Sequence, residues 1–600
     1  MTTQSFRLLC ASGLGMLTAV GMATVGFTQA KDLDALSKDA SQWVMPSQNY
    51  ANWRYSTLKQ ITPGNAGRLQ VAWTMSSGTT RGLEGQPLVV GNMMYWETSY
   101  PNYVYAVNLD DPDKIVWTFL PPANEDAPPV ACCDVVNRGV AYSDGIIYAN
   151  ALEGTVYALD AKTGQVKWKV RNGDPKLGQT VTNAPLVVKN EVLIGISGGE
   201  FGVRGYITAY DKHTGKLLWR AYSEGPDSDV LLDPNKTING GTQKPVGANS
   251  SPVTWQGDQW KQGGGTTWGW YSYDPKLNLI YYGSGNPGTW NPGQRPGKNR
   301  WSMSIFARDA DTGKAKWVYQ MTPHDGWDYD GVNEMVLVNV NVRGKQTPAL
   351  VHFDRNGFSY VLDRTIGKIL SIKKYDPSVN WAKGMDGNNE PIVDPTKMTV
   401  PDKNVQGICP AAQGDKDEQP VSYSPDTGLF YAPLNHLCMS YQAFNVQYKA
   451  GFPFVGAIVN MTPGPGGYRG RFIAYDPMSG ATKWEIHDQF QDWSGALTTS
   501  TGVAFYGTLT GLFRAVDMKT GKVLYEFKCP SGIIGNPMTF TNKGRQYVAV
   551  LTGVGGWAAI GLTNGLHKAS EGLGAVGLTA SLPDYTNLGG TLMVFALPKG

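Results

Sequence analysis

No Cys-x-x-Cys-His run occurs anywhere in the chain, so it has no attachment point for a c-type haem. Any electron carrier of that kind has to be a separate molecule. Charge is also sparse. Charged residues make up 17% of the sequence, the formal net charge is only +3 and there is no basic run, which argues against nucleic acid as a partner. After Phe27 there is no apolar stretch long enough to cross a bilayer. Cysteine is rare too, with six residues in 600.

The one long apolar stretch, from Leu8 to Phe27, follows Arg7 and is broken by Gly13, Gly15, Gly21 and Gly26. Thr28-Gln29-Ala30 then offers a small-residue cleavage site before Lys31. Residues 1–30 therefore read as a secretory signal peptide, with residues 31–600 forming one mature domain in the periplasm. Cys10 leaves with the leader. The five remaining cysteines, Cys132, Cys133, Cys409, Cys438 and Cys529, enter an oxidising compartment. Their odd count leaves at least one free thiol or an intermolecular bond. The simplest pairing is Cys132 with Cys133 and Cys409 with Cys438. Adjacent cysteines can bond only by closing an eight-membered ring that distorts the peptide between them. On geometry alone, two unbonded or differently paired thiols are the plainer reading of Cys132-Cys133.

What the chain does have is 73 Gly, 19 Trp and 30 Tyr, the composition of many strands and tight turns packed by aromatics. One pattern recurs: a short apolar strand ending in Asp, a turn closing on Gly, then a strand carrying an aromatic. It reads Asp160, Gly164, Trp168, then Asp211, Gly215, Trp219, then Asp309, Gly313, Trp317, and again Asp476, Gly480, Trp484. Asp517, Gly521 and Tyr525 keep the spacing, Asp363 with Gly367 keeps the turn, and Val104–Asn108 with Trp117 is a degenerate copy. Asp caps the turn with its side chain and Gly supplies a positive φ. Units that cannot bury both faces alone stack radially. The expected fold is all-β: an eight-bladed β-propeller of four-stranded antiparallel blades. The last blade joins the C-terminal strand Leu592–Leu597 to strand material near Val71-Ala72-Trp73. The long gaps after Asp211 and Asp363 are expected to hold loops that crown one face.

Three of these insertions carry polar groups that the repeat does not need: Ser197-Gly198-Gly199-Glu200, Gly283-Ser284-Gly285-Asn286 and His324–Gly331. Glu200, Asn286, Asp328 and Asp330 are oxygen donors, the ligands hard cations prefer. Asp328 and Asp330 are two apart, so in an extended strand they would face the same way and need a cation or proton between them. Each acid taken singly is equally consistent with a solvated turn or an arginine partner.

The runs Arg81-Gly82-Leu83-Glu84-Gly85, Ala131-Cys132-Cys133-Asp134, Ser197-Gly198-Gly199-Glu200, Gly265-Thr266-Thr267-Trp268-Gly269-Trp270 and Trp327-Asp328-Tyr329-Asp330-Gly331-Val332-Asn333 together resemble one family. It is the pyrroloquinoline quinone (PQQ) alcohol dehydrogenases, and the likeness is greatest to the lanthanide-dependent methanol dehydrogenases. The match runs nearly the whole mature length. The resemblance implies oxidation of a small primary alcohol, methanol foremost, by hydride transfer to PQQ, with a separate cytochrome c as acceptor and a homodimeric assembly. It implies a Cys132–Cys133 ring lying over one face of the quinone and Trp268 beneath the other. It carries Glu84, Arg138, Thr182, Ser197, Gly198, Gly199, Thr266, Arg355, Asp417 and Trp493 over as cofactor-binding residues. Glu200, Asn286, Asp328 and Asp330 carry over as metal ligands, and Asp328 as the catalytic base. Calcium enzymes of the family generally have a small uncharged residue in place of Asp330, which points to a lanthanide ion with Ca²⁺ as the alternative. Gly326 departs from the family, where Glu is common. An ethanol-preferring relative is a second reading, and a non-catalytic propeller scaffold is a third.

Overall fold

The computed structural model describes residues 33–599; the expected leader lies outside them. The described chain is built almost wholly of strands, with only short helical turns between them. Eight of its sheets contain four antiparallel strands, and two of these eight gain extra strands at an edge. One sheet joins the two ends of the chain. Gln70–Ser76 pairs with Thr591–Ala596, Trp73 opposite Val594, and the strands Arg545–Thr552 and Met538–Asn542 complete it. This is the pairing of the C-terminal strand with early strand material that the sequence leads one to expect.

The recurring motif turns out to be a clasp between consecutive sheets. At Asp160, one carboxylate oxygen accepts from the backbone N–H groups of Lys162 and Thr163 at 3.0 and 3.1 Å, and Gly164 sits at φ 72°. A Cβ on Gly164 would stand 2.8 Å from the ring of Trp117 in the preceding sheet, so the indole packs flat on the turn. That indole then donates from Nε1 to the Ala161 carbonyl at 3.0 Å. The arrangement repeats with Trp168 on Gly215 and Lys212 O, Trp219 on Gly313 and Ala310 O, Trp317 on Gly367 and Arg364 O, and Trp484 on Gly521 and Met518 O. Each aromatic thus fills a gap that only glycine leaves and satisfies its own donor. The motif couples sheets rather than marking a binding stripe.

Outside the four-stranded sheets lie the three-stranded Asn404–Ile408, Leu437–Ala443, Ala457–Pro463 and a run of short helical turns from Trp557 to Asp584. Cys409 and Cys438 are disulfide-bonded, and Cys529 is a buried free thiol, as the simplest pairing requires. Among the described residues no helix is long and apolar enough to cross a membrane.

Candidate active site

Connections leaving successive sheets meet at one cavity. Its walls include Glu84, Cys132, Cys133, Arg138, Thr182, Ser197, Gly198, Glu200, Trp268, Asp328, Asp330, Arg355, Asp417 and Trp493, drawn from segments spread over more than four hundred residues of chain. The cavity left among these side chains is small, about 70 Å³.

Two buried arginines organise the cavity. Arg138 extends along the face of Trp268, its guanidinium carbon 4.7 Å from the ring centroid. It reaches Glu84 at 2.9 Å and Glu418 at 3.2 Å, and donates to Thr182 Oγ1 at 3.0 Å. Thr182 Oγ1 in turn meets Ser197 Oγ at 3.0 Å. Arg355 sits in the tight turn between the strands Lys345–Phe353 and Phe358–Asp363. Its guanidinium contacts Asp328 at 3.2 Å, Asp330 at 3.4 Å and Asp417 at 2.9 Å, and lies 5.5 Å from Trp268.

The acids that Arg355 gathers are not on a strand. The segment from His324 to Asn333 is irregular, and Asp328 takes the left-handed conformation at φ 68°. Asp325 holds this bend by accepting from the backbone N–H groups of Trp327 and Tyr329 at 3.1 and 3.2 Å. Asp328 and Asp330 do converge, but because the loop coils around Asp325, not because they alternate along an extended strand. A left-handed non-glycine residue carries strain that the surrounding packing must hold in place.

Asn286 and Glu200 close the set. Asp330 Oδ1 accepts from the backbone N–H of Asn286. A Cβ on Gly285 would fall 2.3 Å from that oxygen, and one on Gly199 would fall 3.0 Å from Asn286 Oδ1. Glycine at both positions lets the backbone approach the donors. Thr266 Oγ1 lies 3.2 and 3.6 Å from the same two points, so Thr266 and Gly199 belong to the wall behind the donors. Burial pushes the Asp330 carboxyl up to about 7 and those of Glu200 and Asp328 above their usual range, with the neighbouring acids adding to the effect. Asn286 Oδ1 and Asp328 Oδ1 are buried without a hydrogen-bond partner.

That donor chemistry suits a hard cation of high charge: three carboxylates and an amide oxygen, with the amide oxygen and one carboxylate oxygen left with nothing to bind. The carboxylates turn toward Arg355, and among the described residues no three His, Cys, Asp or Glu groups already stand at ligating distance. The charge these buried acids lack is what an ion would supply.

Cys132 and Cys133 line the cavity as expected but are not joined. Their sulfurs stand 2.6 Å apart as free thiols, so the expected eight-membered ring is open here. Closing it would require distorting the intervening peptide. The contact with Cys133, then burial, raises the Cys132 thiol pKa; for Cys133 the contact with Cys132 lowers it, but burial and nearby Glu200 raise it overall.

The site also holds residues that sequence reading did not assign. Glu418 flanks Arg138 and is 1% exposed. Trp557 packs against Arg355, 5.3 Å from its guanidinium carbon. Asp134 accepts from the Gly556 N–H at 3.1 Å and meets Arg81 at 3.4 Å. The only local signal was adjacency: Glu418 follows Asp417, and Asp134 follows the cysteine pair.

Comparison with known proteins agrees with this geometry. Residues 43–375 and 474–548 match the model of the PQQ family described as glucose/ethanol/alcohol dehydrogenase, beta-propeller domain. The chain belongs to this family. It is similar to a lanthanide-dependent methanol dehydrogenase of Methylorubrum extorquens, 55% identical across 98% of this chain and 99% of that protein. It is also similar to methanol dehydrogenase [cytochrome c] subunit 1 of the same species, 48% identical across 98% of this chain and 96% of that one. Among solved structures, a europium-containing methanol dehydrogenase superposes with a TM-score of 0.92 and 53% identity, covering 94% of this chain and all of the other. The cysteine pair, Trp268 and both arginines line this one cavity together.

Proposed function

We propose that this protein oxidises methanol, and other small primary alcohols, to the aldehyde with PQQ and a lanthanide ion, passing electrons to a separate cytochrome c. The observation that carries this reading is the acid cluster itself, in which Asp328, Asp330 and Asn286 are buried and Glu200 half-buried. Glu200, Asp328 and Asp330 lie with Asn286 beside a slot walled by Trp268 and two arginines, with charge and two oxygen atoms left uncompensated. The similarity to lanthanide-dependent and cytochrome c methanol dehydrogenases supports the choice of metal, substrate and acceptor.

Glu200, Asn286, Asp328 and Asp330 would hold the ion, and Asp330 adds the carboxylate that suits a trivalent charge. Glu84, Arg138, Thr182, Ser197, Gly198, Gly199, Thr266, Trp268, Arg355, Asp417 and Trp493 would hold the quinone. When bound, PQQ supplies a two-electron acceptor for hydride, and the ion beside it a Lewis acid. The chain's own part is positional and acid–base. Arg355 fixes Asp328 through Oδ2, leaving Oδ1 free to take the alcohol proton. Arg138 and Arg355 offer charge-assisted donors to the quinone's carboxylates, and the Trp268 face keeps a planar ligand flat. The Trp557 and Cys132-Cys133 side chains cover the slot and exclude water.

In this reading residues 1–30 direct export to the periplasm and residues 31–600 form one domain. Eight sheets of four antiparallel strands, joined end to end through Gln70–Ser76 and Thr591–Ala596, support an eight-bladed ring. A scaffold propeller would need neither the paired acids nor their unpartnered oxygens.

The test is reconstitution with PQQ and either La³⁺ or Ca²⁺, in the wild type and in Asp330→Ala. Lanthanide-dependent methanol turnover should be lost in the variant while PQQ still binds. Full lanthanide-dependent turnover in Asp330→Ala refutes the metal assignment. Calcium supporting equal wild-type activity, or ethanol outcompeting methanol, moves the protein to the calcium or ethanol branch.

A further inference from the structure

Arg138 is gripped from both sides. Glu84 lies 2.9 Å from its NH2 and Glu418 3.2 Å from its Nε, and both carboxyls are buried, at 2% and 1% exposure. Among the described residues the nearby cations have closer partners of their own, although Lys416 also acts on Glu418 at longer range. Lys416 is committed to Glu334 at 2.7 Å, and Arg355 to Asp328, Asp330 and Asp417. Arg81 faces Asp134 at 3.4 Å. Arg54, which acts on Glu418 only at longer range, donates to the carbonyls of Pro46, Ala496 and Pro537. Asp417 and Asp134 add negative charge near Glu84, and the Trp493 Nε1 is buried without a hydrogen-bond partner. Glu418 Oε1 is buried with no hydrogen-bond partner.

Two buried carboxylates on one guanidinium cannot both stay ionised at modest cost once more negative charge arrives. We propose that Glu84 and Glu418 act as a one-proton pair on Arg138, taking up a proton from solvent when the tricarboxylate quinone enters the cavity. The proton moves from buffer onto a Glu84 or Glu418 oxygen, and no bond of the ligand changes. Burial supports the assignment, holding Glu84 up to about 7 and Glu418 well above the carboxylate range before any ligand is bound. Glu418 is then a positioning residue. Neutralised, it keeps its contact to Arg138 Nε while freeing the guanidinium charge for the ligand. The proposal rests on the PQQ reading above.

The test is calorimetric titration of PQQ into the quinone-free, La³⁺-loaded full chain at pH 8, in buffers of different ionisation enthalpy. The slope of heat against that enthalpy gives the proton count. The wild type should take up about one proton per quinone bound, and Glu418→Gln less than about a third of that, at an affinity within about threefold of wild type. Equal uptake in the two proteins overturns the pair, and uptake below about a third of a proton by the wild type overturns it without recourse to the variant. An absence of PQQ binding in either protein overturns the quinone reading and the pair with it. Binding without the proton difference overturns the pair alone.

Discussion

Removing Arg355 should destabilise the metal-free protein far more than a typical side-chain deletion, and in a pH-dependent way. Its guanidinium is the shared partner of Asp328, Asp330 and Asp417, all 2% exposed or less. Breaking a buried ion pair by deleting one partner costs about 3–5 kcal/mol, because a charge is left unpaired in a medium that solvates it poorly. Arg355→Met keeps most of the volume and removes the charge. At neutral pH the variant should therefore lose about 3–5 kcal/mol in urea denaturation of the metal-free chain. The acids can relieve part of this by binding protons. Asp330 already titrates at about 7 in the folded protein, above its ordinary value near ~3.9. The folded state thus binds more protons than the unfolded one between those values, so its stability falls as pH rises through that window. Without Arg355 the upward shift should grow, making the variant's deficit larger at pH 8.5 than at pH 5.5. La³⁺ should recover much of the loss by supplying positive charge at the same acids. A deficit under about 1 kcal/mol, or one that shrinks as pH rises, refutes the view that Arg355 neutralises this cluster.

Two further outcomes follow from the surrounding fold. The Cys409–Cys438 disulfide closes a span of 29 residues, so replacing both cysteines by alanine should cost roughly 3–4 kcal/mol in denaturant unfolding, while leaving Arg138 and Glu418 in place. Asp376 lies 2.6 Å from His436 Nδ1 and 2.9 Å from Arg471, and these partners outweigh burial to hold its carboxyl down at about 2. Its contribution is complete above the unfolded value near ~3.9 and lost as pH falls toward 2, so Asp376→Asn should forfeit about 2 kcal/mol at neutral pH and flatten acid unfolding between pH 4 and 2.

The fold was legible because its signal is local. Asp160 to Trp168 spans one turn, and the same turn chemistry recurs wherever a sheet edge needs it. Sequence spacing did not show that each tryptophan clasps the turn of the next sheet, since that contact joins residues dozens of positions apart. The site was legible through short motifs: most of the residues they named line one cavity, while Gly199, Thr266 and Asn286 pack beside it. One physical inference reached a right result by a wrong route, and one expectation carried by the resemblance was not met. Asp328 and Asp330 converge through a left-handed bend capped by Asp325, not through strand alternation. The cysteine pair lies at the cavity as two thiols rather than a closed ring. Glu418 was invisible because its partner Arg138 lies 280 residues away, and nothing in Lys416-Asp417-Glu418 marks that both acids turn inward.

The most direct test of the central claim is the cofactor content of the purified holoprotein, read together by optical spectrum and elemental analysis. The account predicts equimolar PQQ and lanthanide in protein made by a PQQ-producing host given both La³⁺ and Ca²⁺. Metal-loaded protein with no quinone absorption, or quinone accompanied by calcium alone, contradicts it.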